Sequence, residues 1–255
     1  MHVEITGGGP PLVLLHGWAM HSGIFAPLVE RLRAHFTLHL VDLPGHGHNR
    51  DSALPLELAG VADAVADAVP RATWLGWSLG GLVALQAAAS RPASVRGLAM
   101  LCASPRFVRT ADWPEGMPAS VFEGFAADLG RDYRATIDRF LMREAHGSDH
   151  MREELRLLRA QVFAAGEPAP ARLAEGLAVL QDSDLRALLP TLSPPSLWIA
   201  GRRDRLVALQ AMQAAAALAP GARFLRIEHG GHAPFLSHAD EVAAALREFI
   251  EGLPA

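Results

Sequence analysis

One serine in this chain stands where a hydroxyl can become a nucleophile. Gly76-Trp77-Ser78-Leu79-Gly80 fits the pattern G-x-S-x-G, with Gly81 following, an apolar run before it and a helical pattern from Leu82 to Ala89 after it. A turn from strand into helix this tight would drive flanking side chains into backbone, and Gly76 and Gly80 carry none. Ser78 is therefore expected in a strained conformation, its hydroxyl exposed above the C-terminal edge of a sheet. The helix N-terminus beside it favours negative charge. The competing reading is a glycine-rich turn with an incidental serine, and the flanking strand and helix weigh against it.

A serine hydroxyl needs a base to take its proton, and the base needs an acid to orient it. With a serine this early in the chain, acid and histidine should follow it in that order. The run Gly201-Arg202-Arg203-Asp204-Arg205-Leu206-Val207 places Asp204 in a turn after an apolar strand. Glu228-His229-Gly230-Gly231-His232-Ala233-Pro234-Phe235 places His232 after another. His229 is the weaker base because it lies closer to its strand, and Asp182 and Asp184 are runner-up acids that precede the penultimate strand. Twelve histidines are present, so most must serve packing or solvation. What singles out His232 is the ordered set Ser78, Asp204, His232, each after a different strand. Two N–H donors must face the developing oxyanion. Leu79, next after the serine, supplies one, and Trp18 in the early loop His16-Gly17-Trp18-Ala19 the other. For Trp18 simple packing is compatible with that role, since only its backbone is needed.

Other spacings carry less. His46 with His48, and His146 with His150, lack the carboxylates or thiolates of a metal site, so neither metal nor cofactor is expected. Cys102 ends an apolar strand, where cysteine usually packs. The glycines at 7–9 do not lead a strand into a helix, which leaves a dinucleotide fingerprint unsupported.

These groups must be held by strands. Leu12–Leu15, Phe36–Val41, Thr73–Trp77, Gly97–Ala103, Ser196–Ala200 and Arg223–Ile227 read as buried strands, with a short edge strand in the first residues. Helical patterns cover 57–68, 79–90, 207–219 and 239–251. The alternation predicts an α/β fold with a mostly parallel central sheet flanked by helices. Residues 104–190 break the rhythm with helical segments punctuated by Pro114, Pro118, Pro168 and Pro170. They are expected to form a helical cap inserted into a core of 1–103 and 191–255.

Composition sets the outer bounds. The 255 residues include 23 basic and 27 acidic side chains, a net charge of −4, and every basic residue is arginine. Without lysine there is no P-loop lysine and no Schiff-base amine. Codon bias accounts for the choice of arginine but not for its placement. A mildly acidic balance argues against nucleic acid as a partner. No apolar run reaches the length of a membrane span, no signal pattern opens the chain, and the single cysteine suits a reducing compartment. A cytoplasmic monomer is the resulting expectation.

Taken together, the HGW loop, the turn DLPGHG, G-x-S-x-G, the late aspartate and GGHAPF resemble the α/β-hydrolase superfamily over nearly the whole chain. Serine at position 78 argues against haloalkane dehalogenases, which place an aspartate there. A narrower resemblance lies in FTLHLVDLPGHG, WLGWSLGGLVA and HAPFLSHADE. These look like the pimeloyl-[acyl-carrier protein] methyl ester carboxylesterases of biotin synthesis. The resemblance implies Trp18, Ser78, Leu79 and His232 at the reacting ester. It implies that Phe140, Leu141, Met142, Arg143 and Glu144, with Phe125, line the acyl channel. It further implies an acyl-carrier protein as partner, met by Arg139, Arg152 and Arg156; a fourth family arginine falls one residue from Arg134. Residues 131–160 do hold seven arginines, where even spacing gives about 2.7. Six acids share that window, so solvated ion pairs compete with a docking surface. A broad-specificity esterase, a C–C bond hydrolase or a lyase-like member would use the same triad, and a non-catalytic small-molecule receptor could share the fold.

Overall fold

Runs of leucine and valine without polar alternation form strands buried on both faces, the signature of a parallel sheet covered by helices. Leu12, Val13, Leu14 and Leu15 are all fully buried. In the computed structural model, which describes residues 1–254, seven strands make one sheet: β1 (Val3–Gly7), β2 (Pro11–Leu15), β3 (Thr37–Val41), β4 (Ala72–Trp77), β5 (Val95–Leu101), β6 (Ser196–Gly201) and β7 (Arg223–Ile227). Their spatial order is β1-β3-β2-β4-β5-β6-β7. Only β1 runs antiparallel to its neighbour.

The order positions the chemistry. From β2 the chain turns outward to β3, then returns to the other side of β2 to lay down β4. Loops leaving the C-terminal ends of β2 and β4 therefore diverge at a switch point, where open α/β sheets form a crevice. Leu15 pairs in register with Gly76, so the loop carrying Trp18 and the turn carrying Ser78 start side by side.

The helices are α1 (Ala26–Leu32), α2 (Leu58–Ala68), α3 (Leu79–Ser90), α4 (Ala119–Leu129), α5 (Tyr133–Ala145), α6 (Met151–Gln161), α7 (Pro170–Asp182), α8 (Leu209–Leu218), α9 (Pro234–Ser237) and α10 (Ala239–Glu251). Against the sheet, α2 packs on α3 and α1 packs on α10. Nine of the twelve residues of α3 are buried, because it is apolar all round and lies among α2, β4, β5 and α7. Between β5 and β6 the chain forms only α4 to α7, a short 3-10 turn and two isolated bridges, Val108 with Met117 and Thr110 with Trp113. No helix among the described residues is long and apolar enough to cross a membrane.

Several boundaries differ from the sequence reading by one or two residues, two of them for a plain physical reason. The fourth expected strand ends at Leu101 and not at Ala103, because Cys102 takes φ 45° and turns the chain out of the sheet. The helix expected at 207–219 begins at Leu209, since Ala208 is extended and Val207 binds back to Asp204.

At the β4–α3 turn a Cβ on Gly76 would overlap backbone atoms of Gly80 and Gly81, and one on Gly80 would overlap the carbonyls of Leu15 and His16. None of these is a flexible side-chain end. Gly76→Ala is expected to cost on the order of 3 kcal/mol of stability, read as a lower urea midpoint at unchanged slope.

Candidate active site

Ser78 caps α3 with φ 54° and ψ −118°, a conformation only over-determining surroundings maintain. Its N–H is tied to the Leu101 carbonyl at 3.1 Å and its carbonyl accepts from Gly81 at 2.9 Å. Its Oγ lies 2.9 Å from Nε2 of His232, and Nδ1 of His232 lies 2.8 Å from a carboxylate oxygen of Asp204. With Nδ1 donating to Asp204, Nε2 is left to accept from the serine hydroxyl. The other Asp204 oxygen accepts from the N–H groups of Leu206 and Val207 at 2.8 and 2.9 Å, which fixes the carboxylate in plane. All three side chains are buried. The indole of Trp77 donates to the His232 carbonyl at 2.8 Å, so the residue before the serine also holds the histidine's backbone.

The loop after β2 comes close enough to face the serine because Gly17 has no Cβ; one would press on the Trp77 ring and on Cβ of Ser78. The N–H groups of Trp18 and Leu79 donate to no other group among the described residues. That leaves two donors free beside Ser78, as an oxyanion hole requires. Trp18 is fixed from above: its indole donates to the Leu173 carbonyl of α7 at 2.8 Å, and the Phe140 ring of α5 lies 4.7 Å from its own. Gly176 of α7 makes room for it, since a Cβ there would come within 2.8 Å of the indole.

The sequence reading missed what holds this loop from below. His16 donates from Nδ1 to the Gly17 carbonyl at 2.8 Å and accepts from the Leu43 N–H at Nε2, 2.9 Å away. One nitrogen donates and one accepts, so the ring must stay neutral. Burial, with His46 beside it, pushes its pKa down to about 3. Asp42 at the end of β3 accepts from the N–H groups of Ser22 and His48, which anchors the neighbouring turn. The available signal was a histidine directly after β2 and an aspartate directly after β3.

The helical segment splits the residues expected to line the acyl channel. Phe140, Leu141 and Glu144 of α5 are buried, while Met142 is 42% exposed. Met142 and Arg143 instead line an outer cavity of about 680 Å³ together with Phe125, Arg139, His146 and Arg205. Phe125 bridges inner and outer sides, its ring 5.4 Å from Phe140. Five consecutive helical residues cannot share one face. The arginines divide as well. Arg139 bonds Asp128 at 2.7 Å, Arg159 bonds Asp138 at 2.6 Å, and Arg134 pairs with Glu167. Arg152 and Arg156 are exposed on one side of α6, with no acidic partner among the described residues. His229 is exposed and bonds Asp149, away from Ser78, and Asp184 is held by Arg106 and Arg186.

Two buried acids act electrostatically on the histidine. Glu154 of α6 accepts from Ser148 at 2.8 Å and from Ser237 of α9 at 2.5 Å. Burial pushes the Glu144 pKa up to about 8. For His232 burial acts downward, but the charge and hydrogen bond of Asp204 outweigh it and hold the pKa above its ordinary value. The arrangement can activate a hydroxyl, stabilise an oxyanion and return a proton to a leaving group, which is acyl transfer through serine.

The sequence profile of the alpha/beta hydrolase fold family matches residues 10–239. A pimeloyl-[acyl-carrier protein] methyl ester esterase of Stenotrophomonas maltophilia is 60% identical, over 99% of this chain and 97% of its own. The protein of the same name from Xanthomonas campestris pv. campestris is 59% identical over the full length of both. An esterase from Exiguobacterium antarcticum superposes with a TM-score of 0.87 at 22% identity, covering 98% of this chain and 95% of that one, a likeness of fold.

With neutral His232 as the base, kcat/KM for an ester is expected to fall as pH drops through a pKa above the ordinary 6.5. Asp204→Asn is expected to lower kcat by about 10⁴-fold. Ser78→Ala, still folded by circular dichroism, is expected to lose on the order of 10⁵-fold or more.

Proposed function

The chain belongs to the alpha/beta hydrolase fold family, and on that premise we propose that it is a serine carboxylesterase hydrolysing the methyl ester of pimeloyl-[acyl-carrier protein], which frees the pimeloyl carboxylate for biotin synthesis. The observation that carries this reading is the identity of about 60% over the whole length to relatives of that name. In this proposal His232 removes the Ser78 proton as Oγ attacks the ester carbonyl, and the N–H groups of Trp18 and Leu79 hold the oxyanion. Methanol departs with the proton from His232, leaving an acyl-enzyme that water hydrolyses by the same route. Asp204 keeps His232 in the tautomer each step needs.

Residues 104–190 serve as the cap on a core of 1–103 and 191–255, working in the cytoplasm as a monomer. Phe125, Phe140 and Leu141 receive the apolar acyl chain. A carrier protein is acidic where it meets its enzymes, and Arg152 and Arg156 suit such a face because their charges are not spent on neighbours. Arg139, already paired with Asp128, contributes less unless that pair opens.

The test compares two substrates. Arg152→Glu with Arg156→Glu is expected to lower kcat/KM for the carrier-bound methyl ester roughly ten- to a hundredfold, mainly through slower association, while sparing a small p-nitrophenyl ester. Equal losses on both substrates would remove the docking surface. A wild-type enzyme that hydrolyses aryl esters but leaves the carrier-bound ester intact would remove the substrate.

A further inference from the structure

Glu144 is fully buried, and neither of its carboxyl oxygens meets a hydrogen-bond partner among the described residues. A buried polar group left in that condition costs stability, and a folded protein seldom keeps one that nothing else will satisfy. Its surroundings indicate what satisfies it. Glu144 lies one helical turn after Phe140, on the same face of α5, and the Phe140 ring packs 4.7 Å from Trp18 above the oxyanion loop. The charged groups that act on its carboxyl are His232 and Asp204. Past the end of α5, Gly147 abuts the Arg203 carbonyl in the loop that carries Asp204. The face of α5 that packs over Trp18 thus carries one open carboxyl within electrostatic reach of His232 and Asp204.

We propose that Glu144 is the positioning residue for the hydrolytic water, its carboxyl holding one water beside Nε2 of His232 once Ser78 has been acylated. The inference rests on the serine-esterase reading of the site. Water buried in a protein makes about three hydrogen bonds, and apart from one Glu154 oxygen the other polar groups here are already used. Both Asp204 oxygens are engaged, the Trp77 and Trp18 indoles donate to carbonyls, and the two free backbone N–H groups face the acyl oxygen. Glu154 accepts from Ser148 and Ser237 through one oxygen, and its open oxygen lies against Gly231, 3.6 Å from where a Cβ there would stand, on α6 and not on the α5 face that packs over Trp18. Below about pH 8 Glu144 is a neutral acid, so it offers a carbonyl acceptor without setting a second negative charge beside Asp204.

The step balances as follows. The water oxygen bonds to the acyl carbon while one water proton passes to Nε2 of His232. The other hydrogen is donated to the Glu144 carbonyl oxygen and stays on the product. The tetrahedral intermediate collapses by breaking the bond from carbon to Oγ of Ser78, and Oγ takes the proton from His232. The carboxylic acid product then loses its proton to solvent.

Stopped-flow hydrolysis of p-nitrophenyl butyrate separates the two halves, since p-nitrophenol leaves on acylation and steady turnover includes deacylation. Glu144→Leu is expected to keep the burst rate of the wild type and lower the steady-state rate on the order of 10²-fold. KM should fall with kcat, so that kcat/KM holds. Glu144→Met carries the same expectation should the leucine variant fold poorly. Glu144→Gln keeps a carbonyl acceptor and is expected to restore most of the steady-state rate. Glu144→Leu should also raise Tm, because an unpartnered acid is replaced by an apolar group. A burst rate that falls in step with kcat, rates unchanged in both phases, or a glutamine variant no better than leucine would each overturn the proposal. Wild-type protein that releases no p-nitrophenol would instead overturn the esterase reading beneath it.

Discussion

The strand-to-helix turn at Ser78 is the constraint to which the rest of the site conforms. A non-glycine residue held at φ 54° stores on the order of 1–3 kcal/mol of strain, and neighbours on every side must keep it from relaxing. The chain meets that demand by leaving out side chains: Gly76 and Gly80 within the turn, and Gly17 on the loop that comes down beside it. It also meets it by burying the first seven residues of α3 among other elements, so the turn has no solvent into which to unwind. The open N–H of Leu79 follows from the same geometry, because the first amide of a helix has no partner within it.

The helical segment is more than a cover. Through Leu173 and Gly176, α7 fixes the Trp18 ring, and through Phe140, α5 fixes its other side. Through Glu154, α6 grips Ser237 just after the histidine loop. Oxyanion loop and histidine loop are therefore positioned jointly by the sheet beneath and the helices above. On the outer surface most arginines of this segment are matched to nearby acids, while Arg152 and Arg156 on the exposed side of α6 are not.

The strands and the hydrogen-bonded set of Ser78, His232 and Asp204 were legible in the sequence because their signals are local. Continuous apolar runs ending in glycine-rich turns identify the C-terminal edge of a sheet, and Ser78, Asp204 and His232 each occupy such a turn. What was illegible depends on packing between distant segments. His16 fixes its loop only because Leu43, 27 residues away, offers an N–H to its ring. Glu153 and Glu154 are chemically identical neighbours, and only the seating of α6 decides that one is exposed and the other buried. Arg152, Arg156 and Arg159 share a spacing that suggests a single stripe, yet Asp138 of α5 claims the third. Met142 and Phe140 likewise part company at a helix surface whose orientation no periodicity announces.

The burial of α3 has a consequence in time as well as in space. A helix with so little solvent-facing surface, backed by the central strands, has no inexpensive local opening. Its amides exchange with solvent by way of the largest unfolding event the protein undergoes. Ser78 and the free N–H of Leu79 are mounted at the head of that slowest-exchanging unit, whereas Trp18 and His232 sit in loops outside it. The strained shape of the serine is thereby tied to the integrity of the sheet, and holding it needs no motion of the loops.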